Sequence, residues 1–324
     1  MKRMSSWSKM QKSGWLAVLA AIYMLLFCYS LSVTAATVVS GRISSSVRWV
    51  PESSPYIVSG DIIVARGATL TIAAGTEVRF RRFPSSQPYT NRGVLRVLGT
   101  LQVEGNKDKR VYFGLSENGA IGDWGGIWVD GYYGGRVIME YAEVENAQRG
   151  IYVSGGSPVI KHSRFSSNFT GIHLEQTTDF NVEGNILSGN DYGIYLDSSQ
   201  GAVHKNSVIS NPWGIYSFLS RGVAITHNAI KSNVFGIIND GGRQDVIEYN
   251  DFSIRQPNNY GVYLVRGKPI RINHNNFFYD PEIVTDPRQV FWYIWNDDNA
   301  GEVNASNNWW DTVKPEIIEA YIMD

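Results

Sequence analysis

One cysteine, Cys28, serves the whole chain of 324 residues, and it lies in an apolar run near the N-terminus. A form processed beyond that run contains no thiol, which excludes disulfides and cysteine-based metal sites from it. Neither sign of charge is in excess, since 29 Lys and Arg against 30 Asp and Glu leave a formal net charge of −1. This balance gives neither the basic footprint of a nucleic-acid binder nor the strongly acidic composition of a disordered chain. Helical periodicity is almost missing after the N-terminal run, and the apolar residues come instead in short β-rich runs broken by turn glycines.

The N-terminus reads as an export signal. Lys2, Arg3, Lys9 and Lys12 precede an apolar run from about Trp15 to Leu31, and the small residues of Val33-Thr34-Ala35-Ala36 follow. Cleavage after Ala35 or Ala36 is expected, with an uncleaved membrane anchor as the rival because the run is long for a signal core. A lipid anchor on Cys28 fits less well, since Phe27 stands where a small residue belongs. Residues 1–36 are thus a signal or anchor and residues 37–324 a domain outside the cytoplasm, made more acidic by loss of the basic leader.

One phrase organises the rest. Gly126-Ile127-Trp128-Val129, Gly150-Ile151-Tyr152-Val153, Gly171-Ile172-His173-Leu174, Gly193-Ile194-Tyr195-Leu196, Gly214-Ile215-Tyr216, Gly236-Ile237-Ile238 and Gly261-Val262-Tyr263-Leu264 follow one another at 24, 21, 22, 21, 22 and 25 residues. Such a period means stacked structural repeats. A second phrase is built on Asn and an apolar residue: Asn185-Ile186, Asn206 before Val208, Asn228 before Ile230, Asn250 before Phe252 and Asn275 before Phe277. A third, Asn-x-x-Gly, starts at Asn168, Asn190, Asn211, Asn233 and Asn258. At about 3.3 Å per residue, a repeat of this length makes one coil of short strands and tight turns, too short for a strand and a packed helix.

Successive coils then pair in parallel about 4.8 Å apart. Ile127, Ile151, Ile172, Ile194, Ile215, Ile237 and Val262 are expected to form one inward ladder, and Ile186, Val208, Ile230, Phe252 and Phe277 another. The asparagines are read as turn residues that hold the left-handed conformation and pass amide hydrogen bonds between coils. The most regular repeats span 124–279, while 280–324 reads as an irregular last coil followed by a short capping helix over Pro315–Ile322. Arg81–Arg92 reads as a projecting loop.

These residues resemble the right-handed parallel β-helix repeat family, also described as carbohydrate-binding and sugar-hydrolysis domains, which includes NosD-like periplasmic proteins. The likeness covers about residues 56–324 and rests on the Gly-Ile-Tyr-Leu phrases, Gly67-Ala68-Thr69-Leu70-Thr71-Ile72-Ala73-Ala74-Gly75-Thr76, Gly122-Asp123-Trp124-Gly125-Gly126-Ile127 and Asn307-Asn308-Trp309-Trp310. It implies an all-β, pectin lyase-like solenoid outside the cytoplasm that handles polysaccharide or another cell-envelope component, with no nucleic acid, and with membrane contact only through an uncleaved N-terminus. Catalytic phrases of related enzymes are missing: neither the Asn-Thr-Asp nor the Gly-His-Gly of polygalacturonases is present, and Asp280-Pro281-Glu282-Ile283 stands nearest to the Asp-Pro-His-Asp of mannuronan epimerases.

The residue after each inward Ile points outward. This places Trp128, Tyr152, His173, Tyr195, Tyr216 and Tyr263 along one face, interrupted by Ile238, with Asp130, Glu175, Asp197 and Asp240 two positions on. Such a strip binds sugar through ring faces and carboxylates, or else its rings pack on one another to stabilise the sheet. Glu175 and Asp197 fall on consecutive coils, spaced to act as acid and nucleophile, to share a cation such as Ca²⁺, or to point apart into solvent. Asp240, Arg243 and Asp245 form a second polar group, read as a turn. His162, His173, His204, His227 and His274 lie on separate repeats and form no metal motif. The leading reading is a noncatalytic binding scaffold; the alternatives are a polysaccharide lyase or hydrolase acting through Glu175 and Asp197, and a NosD-like periplasmic accessory protein.

Overall fold

The computed structural model describes residues 35–82, 93–252, 259–266, 270–277, 292–297 and 302–323. The chain divides into two units, Met1–Ala35 and Ala36–Asp324, and the β-structure belongs to the second. The signal segment with Cys28, the projecting loop beyond Arg82, Asn258, the Asp280-Pro281 phrase and most of the irregular coil before Trp292 lie outside the described residues.

Strand-forming triplets of apolar and polar alternation, each ended by a tight turn, fold every repeat into one coil. In the best-formed coil the strands are Tyr192–Asp197, Gly201–His204 and Ser207–Ile209. Equivalent strands pair in parallel with the coils before and after, so that Tyr195 lies beside His173 on one side and Tyr216 on the other. The stack builds a ten-stranded sheet from the middle strands and a nineteen-stranded sheet from the other two. The product is a right-handed parallel β-helix of about ten coils.

The first inward ladder forms as expected. Ile127, Ile151, Ile172, Ile194, Ile215, Ile237 and Val262 are all 0% exposed, each burial contributing roughly 1.5–3 kcal/mol. The second differs at one position: Leu187, not Ile186, pairs with Val208, and Ile186 is exposed at 38%. In these coils the strand opens on the residue directly after the asparagine, and pleat alternation turns that first residue outward and the second inward.

The repeat glycines answer to close approach of the coils. A Cβ on Gly171 would lie 2.7 Å from the carbonyl oxygen of Gly193, and one on Gly193 2.5 Å from that of Gly214. No side chain fits between coils at this point.

Two buried asparagine ladders close the corners. Asn206 Oδ1 accepts from both the backbone N–H and the side-chain amide of Asn185, at 2.9 and 3.0 Å, while its own amide donates to Val182 O and Asn228 Oδ1. The pattern runs from Asn185 through Asn228 and Asn250 to Asn275 and Asn308. A parallel ladder links Asn168, Asn190, Asn211 and Asn233. The asparagines themselves are not left-handed, contrary to expectation: the residue before each takes that conformation, as at Lys205, His227, Tyr249 and His274 in one ladder and Ser167, Ser210 and Ser232 in the other. That residue turns the chain, and the turn aims the asparagine amide inward along the stack.

At the C-terminal end Trp292–Asn296 pairs with Tyr260–Val265, carrying Ile294 into the first ladder. The short helix forms at Pro315–Ala320, with Lys314 at its N-cap and Thr312 Oγ1 accepting from Lys314 N. Ile322–Met323 then pairs with Trp292–Asn296.

Two substitutions test this construction. Asn206→Ala leaves the Asn185 donors and Val182 O unpaired in the interior, and urea unfolding is expected to show a loss on the order of 3 kcal/mol or more. Gly193→Ala forces the coils apart and is expected to cost about 2 kcal/mol or more; a variant as stable as the parent would show that the coils are not closed at this point.

Candidate functional site

The outward residues of the long strands bring all six expected aromatic positions onto one face. Their rings are half-buried and lean on one another. Trp128 meets Tyr152 edge-on at 6.0 Å, Tyr152 meets His173 at 5.0 Å, and His173 meets Tyr195 at 4.7 Å. Tyr195 and Tyr216 stack at 5.3 Å with planes 11° apart. Ile238 is buried and interrupts the row, and Tyr263 packs instead against Phe235, Tyr260 and Trp295. Parallel in-register stacking puts equal side chains one strand spacing apart, which is also ring-stacking distance. The ring faces are thereby taken up by neighbouring rings, and edges and phenolic hydroxyls face outward.

A second aromatic row stands beside the first. The residue immediately before each repeat glycine supplies it: Tyr192 stacks on Trp213 at 4.5 Å, and Phe235 on Tyr260 at 4.7 Å. Trp292 continues it, 5.0 Å from Trp295. The sequence carries the signal for this row, since aromatics precede four consecutive repeat glycines from Gly193 to Gly261. At the N-terminal end the same column holds Arg149, whose guanidinium lies 4.7 Å from the Tyr152 ring and 5.9 Å from that of Trp128.

The carboxylates are placed by the same strands, and each is engaged by a different hydroxyl. Glu175 and Asp197 are register partners. Glu175 accepts the Tyr152 hydroxyl at 2.7 Å, reaching back to the previous coil, whereas Asp197 accepts from Ser198 at 2.8 Å. Asp240 accepts the Tyr216 hydroxyl at 3.1 Å and pairs with Arg266 at 2.7 Å. Phenol–carboxylate contacts thus recur along this face, at Tyr152–Glu175 and Tyr216–Asp240. Burial first and the Glu175 hydrogen bond second push the Tyr152 phenol up; burial first and the Asp240 charge second do the same at Tyr216. Both remain hydrogen-bond donors at neutral pH.

His173 sits between the Tyr152 and Tyr195 rings with Nε2 buried and unpartnered. Burial, and then the Arg149 charge, lower its pKa to about 3. It is a neutral ring within the row.

The second polar group separates in the structure. Asp240 faces the aromatic rows, while Asp245 points inward, accepting from Val223 N at 2.8 Å and from Asn239 Nδ2 at 2.6 Å. Burial raises Asp245 to about 6. Arg243 lies beside Arg221 of the adjacent coil.

No three His, Cys, Asp or Glu side chains converge on a metal-sized site among the described residues. His204 has its Nε2 3.0 Å from Asn181 Oδ1 and 3.6 Å from Glu183 Oε2. His227 and His274 are separated by the Tyr249 ring that stacks on both.

Among solved structures, the chain is similar to a double mutant of the periplasmic alginate epimerase AlgG, with a TM-score of 0.55 and 12% identity over 87% of this chain and 67% of that one. A single mutant of the same enzyme aligns at 0.53 and 12% identity over 85% and 76%. At that identity the likeness concerns the fold. No curated protein sequence matches the chain. No helix among the described residues is long and apolar enough to cross a membrane. The family described as "Periplasmic copper-binding protein (NosD)" matches residues 109–314, well over half of the chain. Among the described residues the donors do not assemble as a copper centre: no three His, Cys, Asp or Glu side chains converge, and the buried Nε2 of His173 faces rings and the Arg149 cation instead of further ligands. The match covers the repeats themselves, and by it this chain belongs to the NosD family of periplasmic β-helix proteins.

Proposed function

We propose that this β-helix is a noncatalytic scaffold outside the cytoplasm that binds an extended polysaccharide of the cell envelope along the face from Trp128 to Tyr263. The observation that carries this reading is the orientation of the polar groups. Glu175 is engaged by the Tyr152 hydroxyl and Asp197 by Ser198, while phenols and carboxylates recur along the coils. Seven coils at about 4.8 Å give a straight polar and aromatic track roughly 30 Å long. Such a track suits a linear polymer with a repeating hydroxyl pattern. Because the rings cover one another, recognition runs through ring edges, tyrosine hydroxyls and carboxylates accepting sugar hydroxyls, not through pyranose stacking on exposed ring faces.

Family membership supports a second reading, an accessory role in the periplasm. On this chain it would run through protein contacts, because no three His, Cys, Asp or Glu side chains converge among the described residues.

Retention of the full-length protein on immobilised polysaccharides tests the first reading. Tyr195→Phe keeps the ring and removes one outward hydroxyl, and is expected to weaken retention about fivefold; the double substitution Glu175→Gln and Asp197→Asn weakens it further, while EDTA or added Ca²⁺ changes nothing. Retention on no polysaccharide sinks the proposal, and shortening of a polysaccharide that stops with the double substitution replaces it with the enzyme reading.

The same face predicts acid sensitivity. His173 has a folded pKa near 3 against 6.5 for the ordinary group, so the unfolded chain binds the proton more readily. Stability is complete above about pH 6.5 and is lost as pH falls toward 3, on the order of 3 kcal/mol by pH 4. His173→Gln is expected to remove that part of the acid slope in urea unfolding across pH 4 to 7.

A further inference from the structure

The corner after Asp130 departs from the repeat. Gly131–Tyr133 forms a single 3-10 turn, and Gly134 and Gly135 follow before the strand Arg136–Glu140. On the next coil the equivalent corner is Gly155-Gly156-Ser157-Pro158. Backbone meets backbone between the two, since a Cβ on Gly131 would lie 2.3 Å from Gly155 O. Tyr132 roofs the corner: a Cβ on Gly155 would touch its ring at 3.3 Å, and its hydroxyl donates to Gln176 Oε1 one coil further on.

Beneath lies a cavity of about 580 Å³, lined among others by Gly134, Gly135, Arg136, Ile138, Gly156 and Ser157. Its size falls within the roughly 300–1,000 Å³ of small-molecule sites. We propose that this corner binds a carboxylate-bearing pyranose, a uronic acid unit of a glycan.

Three features carry the assignment. Arg136 makes no ion pair among the described residues, and Arg66, held 5.1 Å over the Tyr133 ring, adds a second positive charge to the same corner. The adjacent acid, Asp130, is already paired with Arg96 at 3.1 Å. A planar carboxylate matches a guanidinium in two parallel hydrogen bonds. Next, the backbone N–H groups of Gly156 and Ser157 donate to nothing among the described residues, which leaves two further donors for anionic or hydroxyl oxygens. Finally, Ile138 is 43% exposed beside Val159 and Pro158, an apolar floor for the C–H face of a sugar ring. The exposed rings of Tyr132 and Tyr133, at 59% and 55%, extend that surface outward, and unlike the rings of the long face neither is stacked on another ring among the described residues. The site does not depend on a polymer lying along the aromatic rows.

Saturation-transfer NMR on the full-length chain tests it, with digalacturonate as probe and the neutral galactose disaccharide of the same linkage as its control. Digalacturonate is expected to bind at least about tenfold more tightly than the neutral sugar. Arg136→Gln abolishes that preference and leaves the thermal midpoint in place, because the side chain is exposed. Ile138→Ser weakens both sugars alike by removing the apolar floor. Equal binding of the two sugars, no binding of digalacturonate, or a preference that survives Arg136→Gln overturns the proposal.

Discussion

Each coil rests on the next through hydrogen bonds that run along the axis of the stack, so every side chain has its own equivalent as a neighbour one strand spacing away. The rest of the molecule depends on that constraint. A residue is acceptable at a position only if it tolerates contact with a copy of itself. Aliphatic side chains do so by packing, tyrosines by stacking, and asparagines because an amide is donor and acceptor at once. Asn206 satisfies the coil before it with its oxygen and reaches the coil after it with its nitrogen. Serine and threonine take the same part at Ser199 and Thr177, where one hydroxyl meets the next at 3.0 Å. A buried charge cannot repeat in this way, which is why Asp245 stands alone in the interior and takes its hydrogen bonds from a backbone amide and Asn239.

This constraint also decides what the aromatic face can do. In a globular lectin a ring is flat to solvent because nothing repeats above it. Here the strand spacing equals the stacking distance, and the face of Tyr216 is occupied by Tyr195. What remains outward is a column of edges, hydroxyls and carboxylates. Polar groups thus recur along the face at a fixed axial interval, and its phenols stay protonated because burial and neighbouring carboxylates both oppose their ionisation.

Much of this is legible in the sequence because the repeat is short and its phrases are distinctive. The spacing of the glycines sets the coil length, the inward isoleucines follow from strand parity, and parity also places Trp128 through Tyr263 on one face. Sequence and structure part where a position must be specified to within one residue. Ile186 looks inward by its place beside the asparagine, yet it is the second residue after each asparagine that enters the core, and an offset of one inverts the pleat. The left-handed residue looks like the asparagine by composition, although the chain turns just before it, at residues as unlike as Lys205 and Tyr249. Side-chain direction is beyond the reach of the pattern altogether. Register alone puts Glu175 beside Asp197, and only the structure shows that the Tyr152 hydroxyl engages the one and Ser198 the other.

In a solenoid, positions that obey the repeat are explained by the repeat, whatever residue types they carry. Specific chemistry is to be sought where a coil breaks it. The five glycines Gly131, Gly134, Gly135, Gly155 and Gly156 remove side chains from two adjacent corners, and the longer turn at Gly131–Tyr133 lifts two tyrosines clear of any other aromatic ring among the described residues. The glycines let the two corners close on each other, since a Cβ on Gly131 would meet Gly155 O at 2.3 Å, whereas the two tyrosines expose apolar rings without gain to the stack. Arg136 is likewise an arginine in a column otherwise held by Thr69 and Thr100. The close approach of the corners accounts for the glycines, but it does not account for the exposed tyrosines or for Arg136, and those are the positions on this body that the repeat leaves unexplained.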